Sequence, residues 1–271
     1  MANWRIRSAR KIGKLIPNSP DSIVINLIVP ATILVLIVLW QAAANYTNIP
    51  EFILPSPGAV WTRFLRSLED GSLARHTWAT LVEVLGGLAI GILAAALLGY
   101  LIAKSKFAEK ILTPYIVASQ SIPVVAIAPL LIIWFGSGQI SKILISAVIV
   151  FFPVLINTIM AVRSVPEDLQ DLMRSLMASR WQIFLKLEAP SAMPVLLGGL
   201  KIGATLSVIG ALVGEFVAAD KGLGFLLNVS RGLYDTAMVF VTVITLIAMT
   251  LALYSIVVLL ERRLLAWREK P

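Results

Sequence analysis

Residues 236–260 read TAMVFVTVITLIAMTLALYSIVVLL, an apolar stretch that contains no charged side chain. A helix of about 20 apolar residues crosses the hydrocarbon core of a bilayer, and this stretch is long enough to do so. In the whole chain of 271 residues, 58% of the residues are hydrophobic and 14% are charged, whereas a soluble domain carries about 25% charged residues. The sequence therefore predicts an all-α polytopic membrane protein and excludes a water-soluble fold.

Five further apolar runs precede this stretch, so we expect about six transmembrane helices. The predicted spans are residues 23–44, 80–103, 111–135, 140–162, 195–218 and 236–260. Residues 23–260 then form one transmembrane domain between a basic N-terminal segment, 1–22, and a basic tail, 261–271. The first run could instead be a signal peptide ending near residues 42–44, but its length and the long segment before it favour an uncleaved span.

The basic residues indicate the orientation of the chain. With the N-terminus inside, sixteen lysines and arginines fall on the inner side: Arg5, Arg7, Arg10, Lys11, Lys14, Lys104, Lys106, Lys110, Arg163, Arg174, Arg180, Lys186, Arg262, Arg263, Arg268 and Lys270. Six fall on the outer side: Arg63, Arg66, Arg75, Lys142, Lys221 and Arg231. Positive residues favour the cytoplasmic side, so we expect a multi-pass protein of the plasma (inner) membrane with both termini in the cytoplasm. The net charge of +8 is then a topology signal, and no nucleic-acid partner is expected.

Several kinds of chemistry lack the residues that they require. The chain has no cysteine and a single histidine, His76, so disulfides, thiol nucleophiles and Cys-ligated metals are excluded and no metal site is expected. No G-x-x-x-x-G-K-[ST] motif occurs, so this chain does not bind ATP through a P-loop. We expect no cofactor in this chain and no enzymatic activity.

Small residues recur every four positions in two of the spans. Gly87, Gly91, Ala95 and Gly99 form one stripe, and Gly199, Gly203, Ser207 and Ala211 form another. Such stripes let helix backbones approach closely in lipid. They predict a tight bundle and carry no function by themselves.

Polar residues inside the spans are candidates for a translocation path, because such residues are costly in hydrocarbon and often functional. Ser119, Gln120 and Ser121 interrupt the third span, Asn157 lies in the fourth and Ser207 in the fifth; hydrogen bonding between helices is the alternative role. Glu83 and Glu215 lie near the outer ends of the second and fifth spans, where we expect an outer gate or a structural contact. Pro123 and Pro129 should disturb helical hydrogen bonding in the third span.

Two amphipathic segments lie outside the spans. Ser56 can cap a helix that begins with Pro57 and rests on the outer membrane surface. The longer segment is the loop 163–194, in which Ser164 with Glu167, and Ser179 with Gln182, each predict a capping box that begins a short amphipathic helix. Pro190 and Pro194 should end the second helix. Such a pair of helices could fit a groove on a soluble partner or lie on the lipid surface, and the residues alone leave both open.

The loop 163–194 resembles the cytoplasmic E-A-A loop of ABC importer permeases. Asp171, Leu172 and Met173 match the E-A-A positions, Met177 stands at the position of the glycine, and Ala189-Pro190 matches the closing pair. Two departures are clear: only the acidic character of the first position is kept, and methionine replaces the glycine. In this family the loop forms coupling helices that dock on the ATPase. The resemblance implies that role for Asp171, Leu172, Met173, Met177, Ala178, Arg180, Trp181 and Pro190.

Other stretches resemble the nitrate, sulfonate and taurine branch of these permeases: LPSPGAVW at 54–61, GLGFLL at 222–227 and LLERRLLAWR at 259–268. Residues 119–138, SQSIPVVAIAPLLIIWFGSG, are similar to the subgroup that imports vitamin-like heterocycles such as riboflavin or the pyrimidine precursor of thiamine. The resemblance implies a type I ABC importer fold and a homodimer of permeases embedded in membrane lipid. It also implies a cytoplasmic ABC ATPase that binds ATP–Mg and an extracytoplasmic solute-binding protein.

The sequence leaves alternatives open. The same permease role for sulfonate or taurine, nitrate or bicarbonate is the first. A secondary transporter or channel that needs no ATPase is the second, and a membrane-embedded enzyme, for which the chain lacks His, Cys and clustered acids, is the third.

Overall fold

The computed structural model describes residues 20–46 and 49–267, and every regular element in these two ranges is helical. In chain order the helices are α1 Pro20–Tyr46, α2 Pro57–Glu69, α3 Ser72–Ala103, α4 Lys106–Gln120, α5 Val124–Phe135, α6 Gln139–Arg163, α7 Glu167–Ser175, α8 Arg180–Ile183, α9 Ala189–Val217, α10 Leu223–Gly232 and α11 Thr236–Leu264. A π-helical turn, Phe184–Glu188, joins α8 to α9. Helices are expected in lipid because each helix satisfies its own backbone hydrogen bonds.

Four helices are long and apolar enough to cross a membrane: Ser72–Ala103, Gln139–Arg163, Arg180–Val217 and Thr236–Leu264. The bent pair α4 and α5 makes a fifth if it counts as one span, and Pro30–Tyr46 in α1 is a shorter apolar helix. The six predicted spans fall on these six elements, so the all-α polytopic class is confirmed.

The described residues divide into two compact units, one up to Trp61 and the other from Thr62 onward. In the first unit, Trp40 Nε1 donates to the carbonyl oxygen of Pro55 at 3.0 Å, which ties the end of α1 to the segment before α2. Ser56 Oγ accepts the amide of Ala59 at 3.2 Å, so the predicted cap of α2 is confirmed. In the second unit, α6 makes its most extensive contacts with α3 and α9.

The three-helix core of the second unit consists of α3, α6 and α9, each of which contacts the other two. All eight residues of the two predicted stripes are buried, which confirms the stripes. A Cβ added at Gly91 would lie 2.8 Å from the carbonyl oxygen of Ala147, and one added at Gly210 would lie 2.5 Å from Cα of Ser146. Ser146 Oγ also donates to the carbonyl oxygen of Ser207 at 2.9 Å. The backbones of the three helices therefore approach each other where glycine leaves room.

The predicted third span, residues 111–135, is two helices, α4 and α5, whose axes differ by 92°. Pro123 stands at the start of α5 and has no N–H with which to continue the hydrogen bonds of α4. The turn between the helices is closed in part by the amide of Ser121, which donates to the carbonyl oxygen of Ala118 at 3.0 Å. Pro129, by contrast, lies inside α5, which continues past it.

The first predicted capping box of the 163–194 loop is wrong. Ser164 directly follows the last residue of α6, and its Oγ donates to the carbonyl oxygen of Ala161 in the last turn of that helix at 2.7 Å. The hydroxyl is therefore not available to cap α7. The Glu167 carboxylate instead meets Lys106 Nζ at 3.2 Å. As a result α7 begins without a side-chain cap.

The predicted end of the second loop helix at Pro190 and Pro194 is also wrong, since both prolines lie within the continuous helix Arg180–Val217. A proline lacks an N–H, and its ring clashes with the carbonyl four residues earlier. The π turn avoids this conflict by widening the helix, because the amide of Ala189 donates to Phe184, five residues earlier. Pro190 then occupies the first turn of α9, where a helix tolerates proline.

The close approach of α3 and α6 predicts the effect of adding one methyl group. We expect Gly91→Ala to lower the stability of the protein by about 1–3 kcal/mol, the usual cost of overpacking a core, because the new Cβ would press on the backbone of α6. Gly198→Ala is the matched control: it is also a helical glycine, but no atom lies within 4 Å of its added Cβ. Alanine is the better helix former, so this control should unfold at the same or a higher temperature. The measurement is the thermal unfolding midpoint in mild detergent, and an unchanged midpoint for Gly91→Ala would contradict the packing described.

Candidate functional site

The end of α7 in the 163–194 loop is a Schellman motif. The amide of Ala178 donates to the carbonyl oxygen of Met173 at 3.0 Å, and the amide of Met177 donates to that of Arg174 at 2.9 Å. This motif requires a left-handed residue, usually glycine, between the two helices. Met177 supplies it with a φ of 54°. Methionine therefore adopts here the conformation for which the resembled loop uses glycine.

The start of α8 is held by the second predicted capping box, which is confirmed. Ser179 Oγ accepts the amide of Gln182 at 3.3 Å, and Gln182 Oε1 accepts the amide of Ser179 at 2.8 Å. Just beyond, Trp181 stacks on Phe184 with ring centroids 5.5 Å apart, and Phe184 meets the edge of Tyr100 at 5.3 Å. This aromatic row connects α8 and the π turn to α3.

The loop presents an apolar surface that nothing in the described chain covers. Six large apolar side chains of the loop are at least 42% exposed: Leu169, Leu172, Leu176, Met177, Trp181 and Leu185. Between them Asp171 and Arg174 form an exposed ion pair at 3.1 Å. A contiguous exposed apolar patch marks a surface that contacts a protein or a membrane.

Glu188 of the π turn anchors the other side of the loop. The residue is 3% exposed and accepts hydrogen bonds from Lys104 Nζ and, at 3.1 Å, from the Tyr100 hydroxyl. A buried carboxylate needs such partners, because leaving it unpaired would be costly. The base of α8 and α9 is thereby joined to the end of α3.

Ion pairs also join α7 and α6 to α4. Besides the Glu167–Lys106 pair at 3.2 Å, Arg163 at the end of α6 pairs with Glu109 of α4. The Lys106 and Glu167 side chains are about four-fifths exposed (79% and 80%), so that pair contributes little to stability. The attachment of α7 to the bundle is therefore weaker than that of the π turn.

The predicted path residues do not form one cluster. Ser119 and Gln120 line a cavity of about 180 Å³ between α4, α5, α6 and α9, whereas Ser121 is exposed at the end of α4. Ser207 is buried, and Asn157 is half-buried; the side chain of each donates to a carbonyl oxygen of its own helix at 2.9 Å. A lining role for these residues stays a prediction.

Glu215, at the opposite end of α9, organises the segment that leads into α10. It is 1% exposed, and its Oε1 accepts the Thr80 hydroxyl at 2.6 Å while its Oε2 accepts the amide of Gly224. Thr80 Oγ1 in turn accepts the amide of Leu223 at 2.7 Å. One carboxylate and one hydroxyl thus fix two consecutive amides at the start of α10.

Gly222 is the residue that this arrangement requires. It has a φ of 116°, and a Cβ there would collide with the Glu215 carboxyl group, so glycine fits for two reasons. Its amide donates to His76 Nδ1 at 3.0 Å. No local sequence pattern indicates His76 or Thr80 as partners of this segment, although GLGFLL at 222–227 is one of the stretches that resemble the permease family.

Two more charged groups are buried at this end of the bundle. Glu83 has no exposed surface and lies beside Glu215. Lys142 is 1% exposed, and its positive charge lies near both carboxyl groups. Lys142 Nζ donates to the carbonyl oxygen of Ser137 at 2.6 Å. Lys142 is therefore not the outer-surface residue that the charge count assumes, because α6 begins early enough to bury it. Such a buried charge cluster suits either a gate or a structural contact.

Within residues 20–46 and 49–267, no group of three or more His, Cys, Asp or Glu side chains could hold a metal ion. Two features of the described chain are therefore candidates for a functional role: the exposed apolar loop at one end of α9 and the buried polar cluster at the other.

Comparison with known proteins finds one family. The family described as "Binding-protein-dependent transport system inner membrane component" matches residues 87–266. The riboflavin transport system permease protein RibX of Chloroflexus aurantiacus is 48% identical over 238 residues, which are 88% of this chain and 89% of RibX. The formylaminopyrimidine transport permease protein ThiX of Halalkalibacterium halodurans is 34% identical over 88% of this chain and 94% of its own. The aliphatic sulfonates transport permease protein SsuC of Bacillus subtilis is 31% identical over 90% of this chain and 87% of its own.

Among solved structures, the MetNI methionine ABC transporter in an inward-facing conformation matches with a TM-score of 0.61 and 18% sequence identity. The match covers 72% of this chain and 97% of the matched chain. At this identity the likeness concerns the fold alone, and it confirms the predicted importer architecture.

These matches confirm the resemblance inferred from the loop 163–194 and from the three other stretches. The family match runs from within α3 to the segment after α11, so it includes the loop and both ends of α9. The chain belongs to the family of binding-protein-dependent transport system inner membrane components, the permease subunits of ABC importers.

Proposed function

We propose that this permease imports a vitamin-like heterocycle, riboflavin or the pyrimidine precursor of thiamine, by alternating access driven by a separate ATPase. The observation that carries the ATP-driven part of the proposal is the exposed apolar loop, whose second helix, α8, continues without a break into α9. A partner that moves this loop moves a helix that reaches the Glu215 cluster at the far end.

The proposed orientation places the 163–194 loop and both termini in the cytoplasm. Its support is the excess of lysine and arginine on that side. Residues 23–260 then form the transmembrane domain, and the Glu215 cluster faces outward. The N-terminal basic residues, Arg5 to Lys14, and the last basic residues, Arg268 and Lys270, lie outside the described residues.

The proposed partner at the loop is a cytoplasmic ABC ATPase. An apolar helix pair docks in a groove through its exposed face, here through Leu172, Met177 and Trp181. Asp171, Met173, Ala178, Arg180 and Pro190 complete the docking segment. ATP–Mg would bind to that partner, since this chain has no P-loop motif.

Two copies of the permease would face each other across a shared path, with a solute-binding protein on the outer side. ATP binding would draw the two loops together and favour the state that is open to the outside, and hydrolysis would restore the state that is open to the inside. Each step requires a ligand with different affinities for the two states. Ser119, Gln120, Ser121, Asn157 and Ser207 are the proposed path residues, with Glu83 and Glu215 at the outer end.

The proposed solute rests on the relatives named for riboflavin and formylaminopyrimidine transport. RibX shares the higher identity, so riboflavin is the first solute to test. Relatives named for aliphatic sulfonate and taurine transport also match, and they support a sulfonate as the second candidate. Nitrate or bicarbonate would fit the same permease role.

The solute proposal predicts an uptake defect. We expect cells of the source organism that lack this chain to lose energy-dependent uptake of labelled riboflavin at nanomolar concentration, and the cloned chain to restore it. A tenfold excess of unlabelled solute should compete only if the transporter recognises that solute. If taurine competes and riboflavin does not, the sulfonate alternative becomes the proposed solute. If loss of the chain changes the uptake of neither solute, a role in importing them is contradicted.

The left-handed conformation of Met177 predicts opposite effects of two substitutions. Met177→Gly should keep or increase the transport rate, because glycine adopts a φ of 54° without strain. Met177→Val should lower the rate at least about tenfold, because a β-branched residue is strongly disfavoured there. Met177 is 94% exposed, so neither change removes a buried contact, and the helix bundle should remain folded in both variants.

The measurement for the Met177 pair is ATP-dependent uptake at equal amounts of protein in the membrane. Ser175→Val is the control: it places the same β-branched side chain at an exposed position whose φ is not left-handed, and we expect it to transport at a near-normal rate. Normal transport by Met177→Val would show that this turn does not couple the loop to the ATPase.

The Glu215 network predicts a local change at the outer end. Glu215→Ala removes the acceptor of the Gly224 amide, and it also removes the partner of Thr80, the residue that accepts the Leu223 amide. Both amides should therefore exchange with solvent at least about tenfold faster. Asp220→Ala, an exposed acidic residue on the same segment, should leave the exchange unchanged. Hydrogen exchange measured by mass spectrometry on the detergent-solubilised chain provides the test, and equal protection in both variants would remove Glu215 as the organiser of this segment.

A further inference from the structure

Glu83 of α3 is a buried carboxyl group without a hydrogen bond. It lies three residues after Thr80, so both side chains are on one face of the helix, and both lie beside Glu215 of α9. Glu83 has no exposed surface, and neither of its carboxyl oxygens has a hydrogen-bond partner within residues 20–46 and 49–267. Buried polar side chains are normally hydrogen-bonded, because leaving one unpaired is costly. The state of Glu83 therefore requires an explanation.

The charges around Glu83 do not balance if every group is ionised. Each helix of the three-helix core contributes one charged side chain to this cluster: Glu83 from α3, Lys142 from α6 and Glu215 from α9. All three are at most 1% exposed. Two carboxylates and one ammonium group leave one uncompensated negative charge, and an uncompensated charge is costly to bury. A single added proton makes the cluster neutral.

The neighbouring titratable groups do not supply the missing positive charge. Lys221, in the segment before α10, is exposed, so solvent screens its charge. His76 accepts a backbone amide at 3.0 Å through Nδ1; that nitrogen carries no proton, so the imidazole is neutral. Asp235, at the start of α11, is paired with Arg63 at 2.8 Å. The balance of the cluster thus depends on its own three members.

The hydrogen bonds indicate which carboxyl group carries the proton. Glu215 accepts the Thr80 hydroxyl at 2.6 Å through Oε1 and the Gly224 amide through Oε2, and donors to both oxygens favour an ionised carboxylate. Glu83 receives no such donor, and Lys142 Nζ donates to a backbone carbonyl instead. Glu83 is therefore the group that gains a hydrogen bond by carrying a proton.

We propose that Glu83 and Glu215 form a proton-binding site at this end of the bundle. The two carboxyl groups share one proton, which Glu83 donates to a Glu215 oxygen, and Lys142 balances the remaining negative charge. Neighbouring carboxyl groups in proteins share a proton in this way, because like charges so close together cannot both persist. Release of the proton to solvent leaves two adjacent negative charges, which repel α3 from α9.

A metal cation explains the same pair less well. Calcium takes about 6–8 oxygen ligands, whereas two carboxyl groups supply about four oxygens, and both oxygens of Glu215 already accept hydrogen bonds. The ammonium group of Lys142 also places a positive charge near the pair. A proton needs no additional ligands, and it satisfies the charge balance and the hydrogen bond together.

Infrared spectroscopy of the purified full chain in nanodiscs tests the proposal directly. A protonated carboxyl group has a carbonyl stretching band that a carboxylate lacks, and the band shifts in D₂O. We expect the native protein to show this band at neutral pH, and Glu83→Gln to lose it, because the amide has a similar shape but no ionisable proton. Glu69→Gln, which removes an exposed glutamate, is the matched control and should retain the band.

Glu215→Gln distinguishes a shared proton from a single buried acid. With a neutral residue at position 215, Glu83 becomes the only counter-charge of Lys142 and should ionise, so this variant should also lose the band. The glutamine retains an oxygen that can accept one of the two hydrogen bonds of Glu215. A band that persists in Glu215→Gln, or that is absent from the native protein, would overturn the proposal.

Hydrogen exchange connects the proton to the start of α10. At alkaline pH the native pair should lose its proton, and the repulsion should displace the carboxylate that accepts the Gly224 amide. We expect the protection of this amide, relative to the intrinsic exchange rate, to fall at least about tenfold, since two strongly interacting groups differ by more than about one pK unit. Glu83→Gln should keep its protection over the same pH range.

Equal losses of protection in the native chain and in Glu83→Gln would contradict the shared proton. Protection that rises with added sodium or calcium chloride in the native chain, but not in Glu83→Gln, would assign the pair to a metal cation and would also overturn it. Neither measurement involves an ATPase, a binding protein or a transported solute. A failure of the proposed function would therefore leave this inference intact, and the reverse also holds.

Discussion

The close approach of three helix backbones is the constraint on which the rest of this structure depends. Helices in lipid have no hydrophobic driving force for association, because lipid tails are as apolar as the side chains. Their association therefore relies on close van der Waals packing and a few polar contacts. Here glycine and serine let α6 lie directly against α3 and α9, as at Gly91 and Gly210. With α6 fixed in this way, the two ends of α9 have fixed positions relative to α3.

Each end of α9 is joined to α3 by a buried glutamate. At one end Glu188 accepts from Lys104 and Tyr100, and at the other Glu215 accepts from Thr80. The helix between them is continuous because the π turn accommodates Pro190. On the proposed function, a displacement of the apolar loop would be transmitted along this one helix, whereas α7 is attached by an exposed ion pair.

Much of the fold could be predicted from the sequence, because the signals were long or repeated. The apolar runs indicated the spans, the four-residue spacing of small residues indicated the contact faces, and Ser179 with Gln182 indicated the start of α8. Local signals failed where a neighbouring element competed for the same group. Ser164 was taken by the last turn of α6, and Pro190 was absorbed by a widened helix.

The candidate site was less predictable than the fold, because its key contacts join distant parts of the chain. Thr80 and Glu215 are 135 residues apart, and His76 and Gly222 are 146 residues apart; no local pattern connects them. Lys142 looked like a surface residue because it lies at the start of a span. Met177 was visible as a departure from a motif, but only its left-handed φ explains why glycine is expected there.

The central claim is that this permease is driven by a separate ATPase through the 163–194 loop. The most direct measurement is purification of the tagged chain from its native membrane in mild detergent, with quantitative mass spectrometry of the proteins that accompany it. We expect an ATPase with a P-loop motif to accompany the permease in equal stoichiometry. A stable chain without any ATPase, under conditions in which other membrane complexes remain intact, would contradict it.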